Sequence, residues 1–134
     1  MRLWIARFCV LAVFAVNIYC ALVFIVLPDQ YLASYELNGP AGRAALMGLG
    51  VAFLMWNTTY PPVIYRPERY RLLYVIVLIQ QMIGLVGESL ILWQLPAETA
   101  ALAASLQRFI LFDAAGLLLL LLGWGLARRR KPKL

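Results

Sequence analysis

Residues 72–93 read LLYVIVLIQQMIGLVGESLILW. The run carries one charged side chain, Glu88, and exceeds the roughly 20 apolar residues that a helix needs to cross a hydrocarbon core of about 30 Å. Lipid offers the backbone no hydrogen-bond partners, so a stretch of this kind enters the bilayer as a helix. Gln81, Gly84 and Glu88 lie three and four residues apart, which places them on one face. A polar or small stripe on an otherwise apolar helix marks the side that meets other helices, because polar groups find partners only there.

The pattern recurs on both sides of this stretch. Apolar runs at 3–27, 41–60 and 108–127 bring the expected number of spans to four, in a single domain covering 1–134. Pro28 and Asp29 end the first run, since proline cannot continue the helical ladder. Tyr31 and Tyr35 in the following loop are expected at headgroup level, and Asn38, Gly39 and Pro40 form the turn into the second run. Pro61 and Pro62 remove two consecutive amide donors and are expected to end the second run. Pro96 and Glu98 lead toward the last span, with 100–107 either lying on the outer surface or extending it. The predicted fold is all-α, an integral membrane four-helix bundle with short loops.

Composition agrees with this reading. Apolar residues make up 64% of the chain, charged residues 13%, and the mean hydropathy is +0.83. Soluble domains hold about 45–50% apolar and about 25% charged residues. The net charge of +6 does not point to nucleic acid, because the basic residues gather at the ends of the spans instead of covering a soluble face. Ten of the twelve fall on one side of the expected topology, and only Arg43 and Arg108 on the other. The positive-inside rule then puts the amino terminus, the middle loop 61–71 and the carboxyl-terminal tail in the cytoplasm. The expected location is the plasma membrane, a bacterial inner membrane, with several passes. The apolar run after Arg2 is too long for a signal-peptide core of about 7–15 residues and is expected to remain as the first span. Asn57-Thr58-Thr59 matches a glycosylation pattern but falls at the cytoplasmic end of a span.

Several chemistries have no residues to carry them. The chain contains no histidine, which removes the usual haem ligand and the commonest zinc ligand. Cys9 and Cys20 stand eleven residues apart in one helix, about 16 Å along its axis, and form no CxxC pair. No phosphate-binding glycine loop and no serine-nucleophile setting is present. The sequence therefore assigns no catalytic residue, no metal and no cofactor.

What it does offer is one polar or small stripe per span. These are Cys9, Val13, Asn17 and Cys20; Arg43, Met47, Gly50 and Asn57; Gln81, Gly84 and Glu88; and Asp113, Gly116 and Gly123. Such stripes are expected to face one another in the bundle. A charged group deep in a membrane costs roughly 2.5–3.5 kcal/mol on insertion scales, so an intramembrane carboxyl needs a partner or loses its charge. Arg43 is the expected partner of Glu88 and Asp113, with Asn17 and Gln81 forming the floor of a polar pocket that opens outward. Arg108 is expected to snorkel to headgroups. Arg43, Glu88 and Asp113 could equally be an ion-pair cluster that only fixes helix register.

The order of features resembles the small bacterial four-helix membrane proteins related to the DoxX-like group. The resemblance rests on Leu27-Pro28-Asp29 closing the first span, the turn from Asn38 to Arg43, Gly48 and Gly50 in the second span, the segment Arg66 to Tyr70, and Asp113 opening the last. Glycine stands at position 42, where families of this type commonly carry an acidic residue. The leading expectation for function is a non-enzymatic accessory or assembly subunit that acts by helix–helix association, beside a membrane partner or as a homo-oligomer. Small-residue spacings such as Ala44 to Gly48 suit that role. The alternative is a binder or carrier of a small amphipathic molecule, such as a lipid, quinone or sterol-like compound, held at Arg43, Glu88, Asp113, Asn17 and Gln81. A third reading makes Glu88 and Asp113 the acid and base of a lipid-modifying enzyme.

Overall fold

The computed structural model describes residues 1–128. The basic residues at 129–131 and 133, counted above as topology signals, lie outside the described residues. The described residues form five helices: α1 (Arg2–Val26), α2 (Gly39–Asn57), the short α3 (Tyr60–Tyr65), α4 (Arg71–Gln94) and α5 (Ala100–Arg128). Two 3-10 turns, Pro28–Gln30 and Ala33–Tyr35, join α1 to α2. Among the described residues there is no strand.

Three helices, α1, α4 and α5, are long and apolar enough to cross a membrane by length and composition. The protein is thus a multi-pass membrane protein built as a helical bundle. α2 is not one of the three; its 19 residues include Arg43 and four glycines, which lower its hydropathy. The surface fits a lipid solvent. Trp4, Phe8, Leu72, Leu111 and Leu118 are largely exposed, whereas Asn57, Gln81 and Ser105 are buried. Polar residues inside and apolar residues outside is the arrangement that a bilayer rewards.

The helices pack in the order α2, α1, α5, α4, with α3 touching both α1 and α4. α2 and α4 barely meet, so one side of the bundle is open. Tyr74 near the start of α4 donates its hydroxyl to the Leu120 carbonyl of α5 at 2.9 Å. A Cβ on Gly123 would lie 3.3 Å from the Ala6 carbonyl of α1. The starts of α1 and α4 and the end of α5 therefore share one end of the bundle, and Arg2, Arg7, Arg71 and Arg128 with them. Val10, Val13, Tyr60, Val63, Tyr74, Val77 and Leu120 form a closed core in that half.

One expectation needs correction. Pro61 and Pro62 do not simply end a helix: they occupy the first turn of α3, where a missing amide donor costs nothing, and they let Tyr60 and Val63 reach the core. Tyr31 and Tyr35 of the outer loop both pack edge-on against Phe24 near the end of α1, at centroid distances of 5.3 and 5.6 Å. Of the two alternatives for 100–107, the structure takes the one in which they extend the last span: α5 starts at Ala100, which sets Asp113 about 20 Å inside the helix. Its first turn is tied down by the outer loop. Glu36 accepts hydrogen bonds from the Ala101 and Leu102 amides at 3.2 Å each, and the Ser105 hydroxyl donates to the Ser34 carbonyl at 2.7 Å.

Candidate functional site

Polar side chains from all four long helices meet beside the open edge of the bundle. On α4, Gln81 is buried and its amide nitrogen donates to Asp113 of α5, at 2.8 Å to Oδ1 and 3.3 Å to the backbone carbonyl. The Gln81 amide oxygen accepts from the Tyr60 hydroxyl at 3.4 Å. Asn17 of α1 donates to the Asn57 amide oxygen at 3.3 Å, and Asn57 donates to the Phe53 carbonyl at 2.7 Å. Two glycines permit the close approach of α4 to α5 at this point. A Cβ on Gly84 would run into Asp113 Oδ2, and one on Gly116 would come within 2.8 Å of the Gln81 amide nitrogen.

These groups line a chamber of ≈ 60 Å³, walled by Phe53, Trp56, Phe109 and Phe112 and carrying Asn17, Asn57, Gln81, Glu88 and Asp113. That is room for a few waters or a head group of a few heavy atoms. Next to it lies a groove of ≈ 330 Å³ between α1, α5 and the outer loop, lined by apolar and aromatic side chains such as Val16, Val23 and Phe24, with Gln30, Ser34, Ser105 and Arg108 adding polar groups. Phe109 and Phe112 line both spaces and form the partition between them.

Two polar atoms near this partition are shut off from solvent without a partner, Glu88 Oε2 and the Tyr35 hydroxyl. Burial, followed by the charge of Glu88, pushes the Tyr35 hydroxyl above its ordinary value, and Arg108 opposes that rise. A buried polar atom left without a hydrogen bond costs about 1–3 kcal/mol, so such atoms mark strain or the place of a missing partner.

Of the five residues expected to build the pocket, the fold brings four together: Asn17, Gln81, Glu88 and Asp113. Arg43 is elsewhere. Its guanidinium donates to Asp29 at 2.8 Å in an ion pair whose side chains are 53% and 61% exposed. The expected ion pairing of Arg43 with the two carboxyls is therefore absent. The cause is a helix face displaced by one residue. The side of α2 that packs inward is Gly42, Leu46, Gly50 and Asn57, and it leaves Arg43 and Met47 outside. Gly42 has a reason to be glycine, since a Cβ there would lie 2.9 Å from Leu37 Cβ. Arg108 is exposed, lines the groove and donates to the Ser105 hydroxyl at 3.0 Å.

The aromatic walls were not foreseen, because an aromatic residue in an apolar run gives no sign of lining a cavity. Asn57 belongs to the polar stripe of the second span, and the structure adds it to the pocket. No family model, no curated protein and no solved structure matches this chain.

Proposed function

We propose that this chain is a four-span membrane protein that binds a small amphipathic molecule inside its bundle. The observation that carries this reading is the pairing of a small polar chamber with a larger apolar groove across the shared Phe109 and Phe112. A ligand site of this kind is mostly apolar with a few placed polar groups. The open side between α2 and α4 gives such a molecule an entry from the lipid. In the proposed topology α2 is the fourth span, its 19 residues covering about 28 Å. Both termini and the middle loop then face the cytoplasm. A bacterial inner membrane and a kinship with the DoxX-like group belong to the same proposal, supported by the charge pattern and by the residues quoted for the resemblance.

The test is recovery of a ligand. The protein is extracted from its native membrane and weighed by native mass spectrometry, beside a variant carrying Glu88→Gln and Asp113→Asn. A stoichiometric bound mass in the parent protein that the variant loses is the expected result. Identical spectra from the two proteins overturn the reading.

A second reading, association with a membrane partner or another copy, is favoured by one feature. Ala41, Ala45, Gly48 and Ala52 form an exposed line of small residues along α2, where another helix could approach closely. Gly48→Leu is expected to abolish any complex seen in mild detergent while leaving ligand recovery unchanged. A complex that survives the change removes this second reading.

A further inference from the structure

We propose that the polar chamber accepts the ammonium head of an amphipathic amine, with its apolar tail in the adjoining groove. This rests on the amphiphile reading above and specifies the chemistry of the ligand. The first ground is a count of hydrogen-bonding capacity. Each carboxamide nitrogen at the chamber already makes at least one bond to a protein oxygen: Gln81 to Asp113, Asn17 to Asn57, and Asn57 to Phe53. The chamber atom shut off without any partner is an acceptor, Glu88 Oε2. A ligand head that satisfies it must bring a donor, and an ammonium brings up to three.

The second ground is charge. Glu88 and Asp113 line one chamber, and among the described residues neither has a cation within ion-pair distance. Arg43 is engaged with Asp29 on the outside. Arg108 stands across the partition in the groove, where it disfavours a second cation and so directs the charged head away from the groove.

The third ground is the wall. Phe53, Trp56, Phe109 and Phe112 surround the two carboxyls, and the faces of such rings attract organic cations. Neutral hydroxyl heads gain little from that arrangement, and anions are repelled by it. The chamber's ≈ 60 Å³ suits an ammonium or a singly methylated one, and the ≈ 330 Å³ groove suits a chain of moderate length.

The full-length protein in nanodiscs is titrated with three probes of equal tail, decylammonium, decan-1-ol and decanoate. Binding is read as the change in tryptophan fluorescence that Trp56→Phe removes, because Trp56 lines the chamber. Decylammonium is expected to bind at least about tenfold more tightly than decan-1-ol, a preference that charge-assisted bonds readily supply. Glu88→Gln and Asp113→Asn, each checked for unchanged helicity, are expected to bring the two probes within about threefold of one another. Equal binding of amine and alcohol by the parent protein, or tighter binding of decanoate, overturns the ammonium assignment and leaves the amphiphile reading in place. A preference for the amine that survives both substitutions also overturns it, since the bilayer and not the carboxyls would then be its source. No response of Trp56 to any probe overturns both.

Discussion

Gln81 does three jobs with one side chain: it clasps Asp113, accepts from Tyr60 and, through Gly116, sets the spacing of α4 and α5. Gln81→Leu removes the clasp and leaves the Asp113 and Tyr60 oxygens to find other partners. The expected cost is about 1–3 kcal/mol if they stay unsatisfied, nearer about 0.6 kcal/mol if water or lipid headgroups reach them. Reversible unfolding in mixed micelles measures it, and an unchanged midpoint contradicts the clasp. Gly84→Ala makes a stricter test, because the added methyl group must displace Asp113 Oδ2, at an expected overpacking cost of about 1–3 kcal/mol. At this scale the sequence was informative wherever polarity broke an apolar run. Asn17, Gln81, Glu88 and Asp113 announce themselves because water-loving groups in lipid must share an interior. Arg43 misled for the same reason. Pairing the nearest cation with the buried carboxyls is sound electrostatics, yet Asp29, just past the first helix, captures it at 2.8 Å while both side chains stay more than half exposed.

Helix α2 shows how an element can be recognised in the sequence while its orientation is not. Positions 42, 46 and 50 and positions 43, 47 and 50 both obey helical spacing. Backbone proximity decides between them. A Cβ at Gly42 would press on Leu37, and one at Gly50 would come within 2.7 Å of the Ala21 carbonyl on α1, contacts that no spacing rule reveals. Gly50→Ala is accordingly expected to wedge α2 from α1, lowering stability by about 1–3 kcal/mol, whereas Gly48→Ala, which faces open space, is expected to be harmless or mildly stabilising in the same unfolding experiment. Hydropathy alone leaves 100–107 free to lie on the surface or to extend the last span, and the outer loop decides: Glu36, held at φ 54° in the left-handed region, turns its carboxylate onto the exposed amides of the first turn. Negative charge at a helix amino terminus is favourable. Glu36→Ala is expected to cost about 1 kcal/mol and to speed hydrogen exchange at Ala101 and Leu102. Unchanged exchange there would show that the loop does not anchor the helix.

The molecule as a whole has three packed sides and one open one, with a well-filled core at the basic end and cavities toward the other. That asymmetry could not be inferred from the chain alone, since four apolar helices with one polar stripe each are compatible with a closed bundle. At the open edge the short α3 touches both α1 and α4, while α2 and α4 barely meet. Reporter fusions at both termini are expected to give cytoplasmic signals, and one inserted at Ser34 an external signal; a terminus found outside would contradict the four-span topology. The convergence of the intramembrane polar groups is tested most directly by a distance. Asp29 and Asp113 are the only two aspartates, so carboxyl-labelled aspartate and amide-labelled glutamine give few pairs to resolve by solid-state NMR in proteoliposomes. With Asp29→Asn as background, the expected result is one strong coupling for a nitrogen–carbon separation of about 4 Å or less, lost in Gln81→Leu. No coupling at that range, or one that survives Gln81→Leu, would mean that α4 and α5 do not turn their polar faces toward each other.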